Sequence, residues 1–400
     1  MSKSVQFHIL NTLSQALIEV LEKGKHADRM IDKYMRVNKN WKSDERSFFA
    51  EAVYGIVRYK RKLEFVAESE ELWPLIVAYL VSKNLKPASR PEFKNIDTAK
   101  ISSRMKLQKP AAIEHSFPDW LVELGQKEFS VEWPKIMQSL NKDPSIYLRA
   151  NTLKTTIEKL IQTLKTEKIE AQKIKGPIEI PTGLCLSERK NVFSTQAFKN
   201  GLFEMQDAGS QSIAPLLQVQ PGHTVADTCA GSGGKTLHLA ALMQNKGKIV
   251  AMDIVDQKLQ DLKLRATRAG ATIVETKLID SPKVIQRLEN TFDRVLIDSP
   301  CSGLGVLRRN PDSKWKLNLE QIEAVMKTQK DILSKYSSLC KSGGVMVYAT
   351  CSILKSENEE QIKWFLNSTI GKNWSLLSEH RIWPHLHDFD GFYAAVLKKS

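Results

Sequence analysis

227-DTCAGSGGKT-236 ends like a phosphate-binding loop, and the cofactor it serves decides the fold of the second half of the chain. A P-loop requires G-x-x-x-x-G-K-[ST]. With Gly234, Lys235 and Thr236 in the last places, the first glycine belongs at 229, where Cys229 stands, so that reading fails. A dinucleotide fingerprint G-x-G-x-x-G beginning at Gly231 and Gly233 needs its third glycine at Thr236, which weakens it. The remaining candidate is the loop of an S-adenosylmethionine (SAM) enzyme, and the neighbouring segments have to arbitrate.

Working outward, strands alternate with helices from residue 206 onward. The strand candidates are 223-HTVADTC, 248-KIVAMD, 293-DRVLIDSP and 344-GVMVYATCS, a pattern that predicts an α/β domain with a doubly wound, mostly parallel sheet. In such sheets ligands bind beyond the carboxyl ends of the strands. Asp227 ends the first strand. Asp253 ends the second, 22 positions after Gly231, where a carboxylate binds both hydroxyls of a ribose. Asp280, in 277-KLIDS-281, stands where a third strand would end, within reach of an adenine amino group. Loop and ribose acid suit NAD as well, so this step supports a nucleoside cofactor and no more.

The last two strands carry the deciding residues, in 298-DSPCSGLG-305 and 348-YATCS-352. Each sets a cysteine on the rim that holds the cofactor loop, and hydride transfer has no obvious need of two. Of the five cysteines, Cys185 and Cys340 read as small buried apolar residues and Cys229 as packing beside the loop. For Cys301 and Cys351 the shared placement points to function. Two thiols, an acid and a SAM pocket fit one reaction well. Carbon 5 of cytosine is a poor nucleophile. A thiolate added at C6 turns the ring into an enamine whose C5 attacks a methyl group. An acid at N3 steadies the adduct, a base takes the C5 proton, and the thiol leaves. Asp298 is the candidate for the N3 contact, with a carboxylate capping a loop as its structural alternative.

The whole chain agrees with a polyanionic partner. Its 400 residues carry a net charge of +14, uneven along the sequence: 34 Lys and Arg against 25 Asp and Glu in 1–205, and 25 against 20 in 206–400. The cysteines show no C-x-x-C spacing, which gives no sign of a zinc site or redox pair, and a reducing cytoplasm is the natural setting. The most apolar run, 72-LWPLIVAYLV-81, is too short to span a bilayer, and no apolar signal-peptide core precedes it.

Upstream of 206 the pattern is helical first. Ile9, Leu13, Ala16, Leu17, Val20 and Leu21 recur at three- and four-residue spacing. A single helical stretch over 43–67 begins with a Ser43-Asp44 cap signal and sets Phe48, Ala52, Val53, Ile56 and Val57 on one face. The basic cluster Arg58, Lys60, Arg61 and Lys62 reads, residue by residue, as a solvated helix end. Residues 84–110, punctuated by Pro87, Pro91 and Pro110, read as a linker. Short helices are expected over 117–130 and 131–141, then a strand over 146–154, a helix over 156–169 and a strand over 171–180. That lysine-rich patch is an RNA-binding module or a connector, and periodicity does not choose.

DTCAGSGGKT, DSPCSGLG, 308-RRNPDSKW-315, YATCS, 329-QKDIL-333, 356-SENEE-360 and 390-DGFYAAVLKK-399 together resemble the motif series of the Sun/Fmu-type RNA 5-methylcytosine methyltransferases. Each is weak alone; in this order they are specific. The resemblance implies a Rossmann-like SAM-dependent methyltransferase domain over 206–400 with Cys351 as nucleophile and Cys301 assisting release. It also implies cofactor contacts from Cys229, Ala230, Gly231, Ser232, Gly233, Gly234 and Lys235, then Asp253, Asp280 and Asp298, with Lys235 near the methyl donor or the catalytic Asp298. The family usually has Ala-Pro where Gly231-Ser232 stand, which bears on cofactor affinity. The segment 43–61 resembles an all-helical domain similar to the transcription factor NusB, which implies a helical RNA-binding domain with its linker over 1–100. Segments 115-HSFPDWL-121, 148-LRANTLK-154 and 206-QDAGSQ-211 resemble the family's RNA-positioning region, expected as a small α+β region over 101–205. This layout favours small-subunit (16S) ribosomal RNA as substrate, acted on by a monomer without metal or membrane.

Four alternatives stay open here, one of them an NAD-type oxidoreductase, which cofactor binding would reveal. Transfer RNA would keep the chemistry and change the substrate. A DNA cytosine enzyme, with its Pro-Cys nucleophile, would promote Cys301 over Cys351. A non-catalytic RNA-binding assembly factor would leave the rim cysteines without a task.

Overall fold

The structure, a computed structural model, describes residues 7–86, 91–176 and 178–400. It divides into two compact units, Met1–Lys142 with Leu307–Leu319, and Asp143–Val306 with Glu320–Ser400.

The first unit is helical. Helix Phe7–Leu21 buries Ile9, Leu13, Ala16, Leu17 and Val20 as the spacing predicts, joined by Leu10 and Ser14, while Leu21 stays half-buried. The run expected as one helix over 43–67 is two, Ser43–Arg58 and Lys60–Ala67, broken at Tyr59 (φ −110°, ψ 23°). The break has a tertiary cause: the Arg61 N–H in the first turn of the second helix donates to Ser116 Oγ, 2.8 Å away. Ser43 is not the cap; Glu45 caps the helix by accepting from the Lys42 N–H at 2.8 Å. Phe49, rather than Phe48, enters the core with Ala52, Val53, Ile56 and Val57. The apolar run is helix Leu72–Ser82 inside this core. Among the described residues no helix is long and apolar enough to cross a membrane.

Two further expectations change. In the stretch read as a linker, helix Thr98–Met105 forms with its N–H groups capped by Asp97, and Phe93 and Ile101 are buried in the helical core. Pro87, which helped suggest that linker, lies outside the described residues. The cluster at 58–62 is not a solvated helix end either. Lys62 pairs with Glu114, Arg61 with Asp119 at 2.7 Å, and Lys60 with Glu64. Arg58 is buried and donates to the carbonyls of Asn141 (2.9 Å), Lys142 (2.7 Å) and Arg308 (2.9 Å). Such groups lose water on folding, so they must find partners within the protein.

The returning segment 307–319 explains the carbonyl clamp. Its Lys314 Nζ donates to the Arg58 carbonyl (2.8 Å) and to Asn141 Oδ1 (3.2 Å), and lies 4.4 Å from the Phe117 ring centroid. Trp315 Nε1 donates to the Val57 carbonyl at 2.6 Å. Residues 308–315, read as one motif of the catalytic series, are thus packed into the helical unit. Arg58→Ala should destabilise this unit by about 3 kcal/mol, because three charge-assisted bonds vanish and buried carbonyls lose their donor. A melting curve should show a fall of roughly 10 °C in the transition of that unit; an unchanged curve would show the clamp to be dispensable.

Among the described residues the second unit holds eleven strands in two sheets. In chain order they are Tyr147–Ala150 (β1), Ala171–Lys173 (β2), Gly183–Leu186 (β3), Phe203–Met205 (β4), Thr224–Asp227 (β5), Lys248–Asp253 (β6), Val274–Leu278 (β7), Phe292–Asp298 (β8), Cys340–Thr350 (β9), Trp374–Ile382 (β10) and Phe392–Lys399 (β11). The small sheet is antiparallel, in order β2-β3-β1-β4. Of the strand expected over 171–180, three residues are β2; Pro177 lies outside the described residues. Pattern reading missed β3 and β4, which are too short to show a period.

The large sheet runs β10-β11-β9-β8-β5-β6-β7, parallel from β9 to β7 and antiparallel at β11 and β10. Its central strands are apolar and buried on both faces, as covered parallel sheets require. The order reverses between β5 and β8, so the switch-point crevice opens beside their carboxyl ends.

Candidate active site

Every residue expected in the cofactor loop follows β5 directly. The loop folds back so that the Ala230 N–H donates to the Met252 carbonyl in β6 at 2.9 Å, and helix Gly234–Leu242 starts behind it. Gly231 has φ +54°, a conformation that glycine takes without the cost a side chain would add. The Gly231-Ser232 departure therefore suits the observed turn. Arg265 Nη1 donates to the Ser232 carbonyl at 2.7 Å, and Arg149 of β1 donates to the Gly234 carbonyl at 2.9 Å, so the small sheet braces the loop. The Cys229 thiol packs against the core under β6 and β8. Burial, then the Asp298 charge, push its pKa well up, which leaves it an inert thiol.

Asp253, at the end of β6, accepts from the Gly231 N–H through Oδ2 (2.9 Å) and from the Val255 N–H through Oδ1 (2.9 Å). It ties the loop to the strand end while each oxygen keeps a lone pair for a further donor. Asp280 is exposed two residues beyond β7 and accepts from Ser281 Oγ at 3.1 Å.

A carboxylate absent from the sequence-derived site stands at its centre. Asp227 is fully buried; Thr236 Oγ1 donates to its Oδ2 at 2.7 Å, and its Oδ1 has no partner among the described residues. Burial raises its pKa to about 7 against the Thr236 bond. The signal available was its place as the last residue of the strand before the loop. Because the folded value lies above the usual 3.8, its contribution is most favourable below pH 4 and is lost as pH rises towards 7. Unfolding free energies of wild type and Asp227→Asn should therefore coincide at low pH and diverge by about 4 kcal/mol in favour of the variant by pH 8. Parallel pH curves would show that Asp227 ionises normally.

The four residues expected to do chemistry come together at the ends of β5, β8 and β9. Lys235 Nζ lies 2.6 Å from Asp298 Oδ2. Burial alone would lower the lysine pKa; the adjacent Asp298 charge and hydrogen bond overcome it and hold the pKa above 10.5. Cys301 Sγ and Cys351 Sγ are 3.3 Å apart. The hydrogen bond to Cys351, then burial, hold the Cys301 pKa well above normal. Cys351 also acts on the Lys235 charge, which places both pairs in one electrostatic site. Gly305 permits this convergence: its N–H donates to the Cys351 carbonyl at 2.9 Å, and a Cβ there would meet the Gly391 carbonyl at 2.2 Å.

Comparison with known proteins agrees with the motif series. The profile of the 16S rRNA methyltransferase RsmB/F family matches residues 214–398, and that of the ferredoxin-like domain of RsmF/B-like methyltransferases matches 117–193. A probable ribosomal RNA small subunit methyltransferase B of Synechocystis sp. is 31% identical, covering 96% of this chain and 98% of the relative. The chain belongs to the RsmB/F methyltransferase family. Ribosomal RNA small subunit methyltransferase B of Proteus mirabilis is 28% identical over 98% of this chain and 99% of its own. The crystal structure of PH0851 superposes with TM-score 0.83 at 25% identity over the whole of both chains. The large sheet is accordingly the Rossmann-like sheet of a methyltransferase.

Proposed function

We propose that this protein methylates C5 of a cytosine in small-subunit ribosomal RNA through a covalent bond between Cys351 and C6. The observation that carries the reading is the 3.3 Å thiol pair sharing its site with the Lys235–Asp298 pair.

The residues fit S-adenosylmethionine. Asp253 offers acceptors to a ribose, the 229–235 loop brings backbone close to a ligand, and the orphaned buried Oδ1 of Asp227 suits a cationic amino group. Bound there, S-adenosylmethionine supplies an electrophilic methyl group. The Cys351 thiolate forms the C6–S bond, and the C5=C6 electron pair passes into the ring. The proton taken up at N3 comes from the Lys235 ammonium through Asp298, 2.6 Å away, and returns by the same route on release. Bond formation takes the Cys351 sulfur out of its hydrogen bond with Cys301. Cys301 then loses its proton to water more readily and accepts the C5 proton after methylation, and the C6–S pair returns to Cys351. A Pro-Cys nucleophile would exchange the roles of the two thiols, with Cys301 forming the C6–S bond.

The substrate reading rests on the family and on charge. The helical unit and the small sheet are read as the RNA-holding parts, with the helical unit NusB-like, and a net charge of +14 supplies counter-ions to phosphate. A flipped or single-stranded cytosine is needed for the thiol to reach C6. The test is bisulfite sequencing of ribosomal and transfer RNA from cells with and without the gene. One small-subunit cytosine should lose its mark. A mark lost from transfer RNA alone would move the assignment, and no lost mark, with no SAM binding by calorimetry, would favour a non-catalytic assembly factor.

A further inference from the structure

Behind the two thiols lies a buried carboxylate that the mechanism above leaves without a task. Glu357, in the 356-SENEE-360 motif, has no exposed surface. Its Oε1 accepts from the Ser302 N–H at 2.8 Å and from Gln329 Nε2 at 3.1 Å; its Oε2 accepts from Ser302 Oγ at 2.5 Å and from Ser352 Oγ. Gln329 also donates to the Pro300 carbonyl at 3.1 Å, which holds the other side of Cys301. Next to it, Asn358 accepts from Thr350 Oγ1 and donates to the Ser352 carbonyl at 3.0 Å, and the Tyr348 hydroxyl anchors the Glu357 carbonyl at 2.8 Å.

The arrangement is paired. Cys301-Ser302 ends one loop and Cys351-Ser352 the other. The serine hydroxyls lie 3.2 Å apart on the carboxylate side, and the thiols lie 3.3 Å apart on the substrate side. Each hydroxyl has one proton, and both protons go to Oε2, so the Ser–Ser contact is close packing imposed by a shared acceptor. Without that acceptor, the tie left between the Ser302 side chain and the β9 loop among the described residues is the 3.2 Å contact of the two hydroxyls, a single neutral bond in place of a shared charge. We propose that Glu357 is a positioning residue, whose carboxylate locks the Cys301-Ser302 and Cys351-Ser352 loops together and thereby sets the distance between the thiols.

The proposal rests on the thiol chemistry above, but its geometry can be read without RNA. Glutamine at 357 keeps an acceptor towards the Ser302 N–H and Gln329, and offers two N–H donors to the serine hydroxyls, which rotate to accept. Alanine removes the carboxylate that accepts four of these hydrogen bonds, and the buried Ser302 N–H loses its acceptor. The probe is dibromobimane, which bridges neighbouring thiols; peptide mapping then scores the Cys301–Cys351 bridge, with Cys351→Ser as blank. Wild type and Glu357→Gln should bridge, while Glu357→Ala should bridge at least about tenfold less. In RNA methylation Glu357→Ala should lower kcat about 100-fold with little change in KM, since displacement of reacting groups by about 1 Å has that cost. Glu357→Gln should stay within about tenfold of wild type, which a purely fold-supporting role of the charge would not give. Should Glu357→Ala fail to fold, Ser352→Ala cuts the β9-loop tie alone and must itself reduce bridging. Undiminished bridging in a folded Glu357→Ala or in Ser352→Ala overturns the proposal. Glu357-dependent bridging in an enzyme that methylates no RNA would instead overturn the proposed reaction and leave the positioning role standing.

Discussion

Cys351→Ala is expected to lower methylation to below about 10⁻⁴ of wild type, the scale on which loss of a covalent nucleophile acts. Cys301→Ala should fail differently. Cys351 still bonds to C6 and the methyl group is still transferred, but the C5 proton has no base beside it and the C6–S bond persists. A denaturing gel of Cys301→Ala with substrate RNA should show a slow protein–RNA band that is absent from Cys351→Ala and from the double variant. The two sulfurs lie 3.3 Å apart, so both reach one bound base, and the gel assigns their roles. A band in Cys351→Ala and none in Cys301→Ala would reverse the roles and favour the DNA-enzyme analogy.

Asp298→Asn should cost the next largest factor, about 10²–10⁴ in kcat, the usual contribution of a positioned acid or base. The amide keeps the size of the side chain and cannot exchange a proton with N3. It also removes the counter-charge of Lys235, whose raised pKa keeps that ammonium ionised through neutral pH and up beyond 10.5. RNA affinity should change little, so the loss belongs in kcat rather than KM. Lys235→Met separates the two groups: it leaves the acid in place without its partner and should cost less. A variant Asp298→Asn that turns over at the wild-type rate would remove Asp298 from the chemistry and leave Lys235 as the working group.

RNA affinity is best tested on the full chain. A 206–400 fragment would lack the small sheet whose Arg149 braces the cofactor loop, and its 307–319 segment would lose the Val57 and Arg58 carbonyls that Trp315 and Lys314 bond. Loss of binding by such a fragment would report unfolding as readily as lost phosphate contacts. The salt slope of the intact protein, compared with variants at exposed lysines, avoids that confusion.

Local order was readable from sequence wherever a period or a strand end carries the signal. The alternation of strands and helices after 206, the loop after β5, the acid ending β6 and the cysteines after β8 and β9 are properties of short windows. A parallel sheet then brings all its carboxyl ends to one rim. This is why residues as distant as 229 and 351 were grouped in one site before any contact was known. What periodicity cannot carry is which polar side chains lose water and whom they meet. The 63-residue separation of Lys235 and Asp298, the orphaned Asp227 oxygen, the carbonyl clamp of Arg58 and Lys314, and the Glu357 tie between the two cysteine loops arise from packing of elements far apart in sequence. Only the tertiary structure decides them, because a buried charge or donor must take whatever partner the fold places beside it.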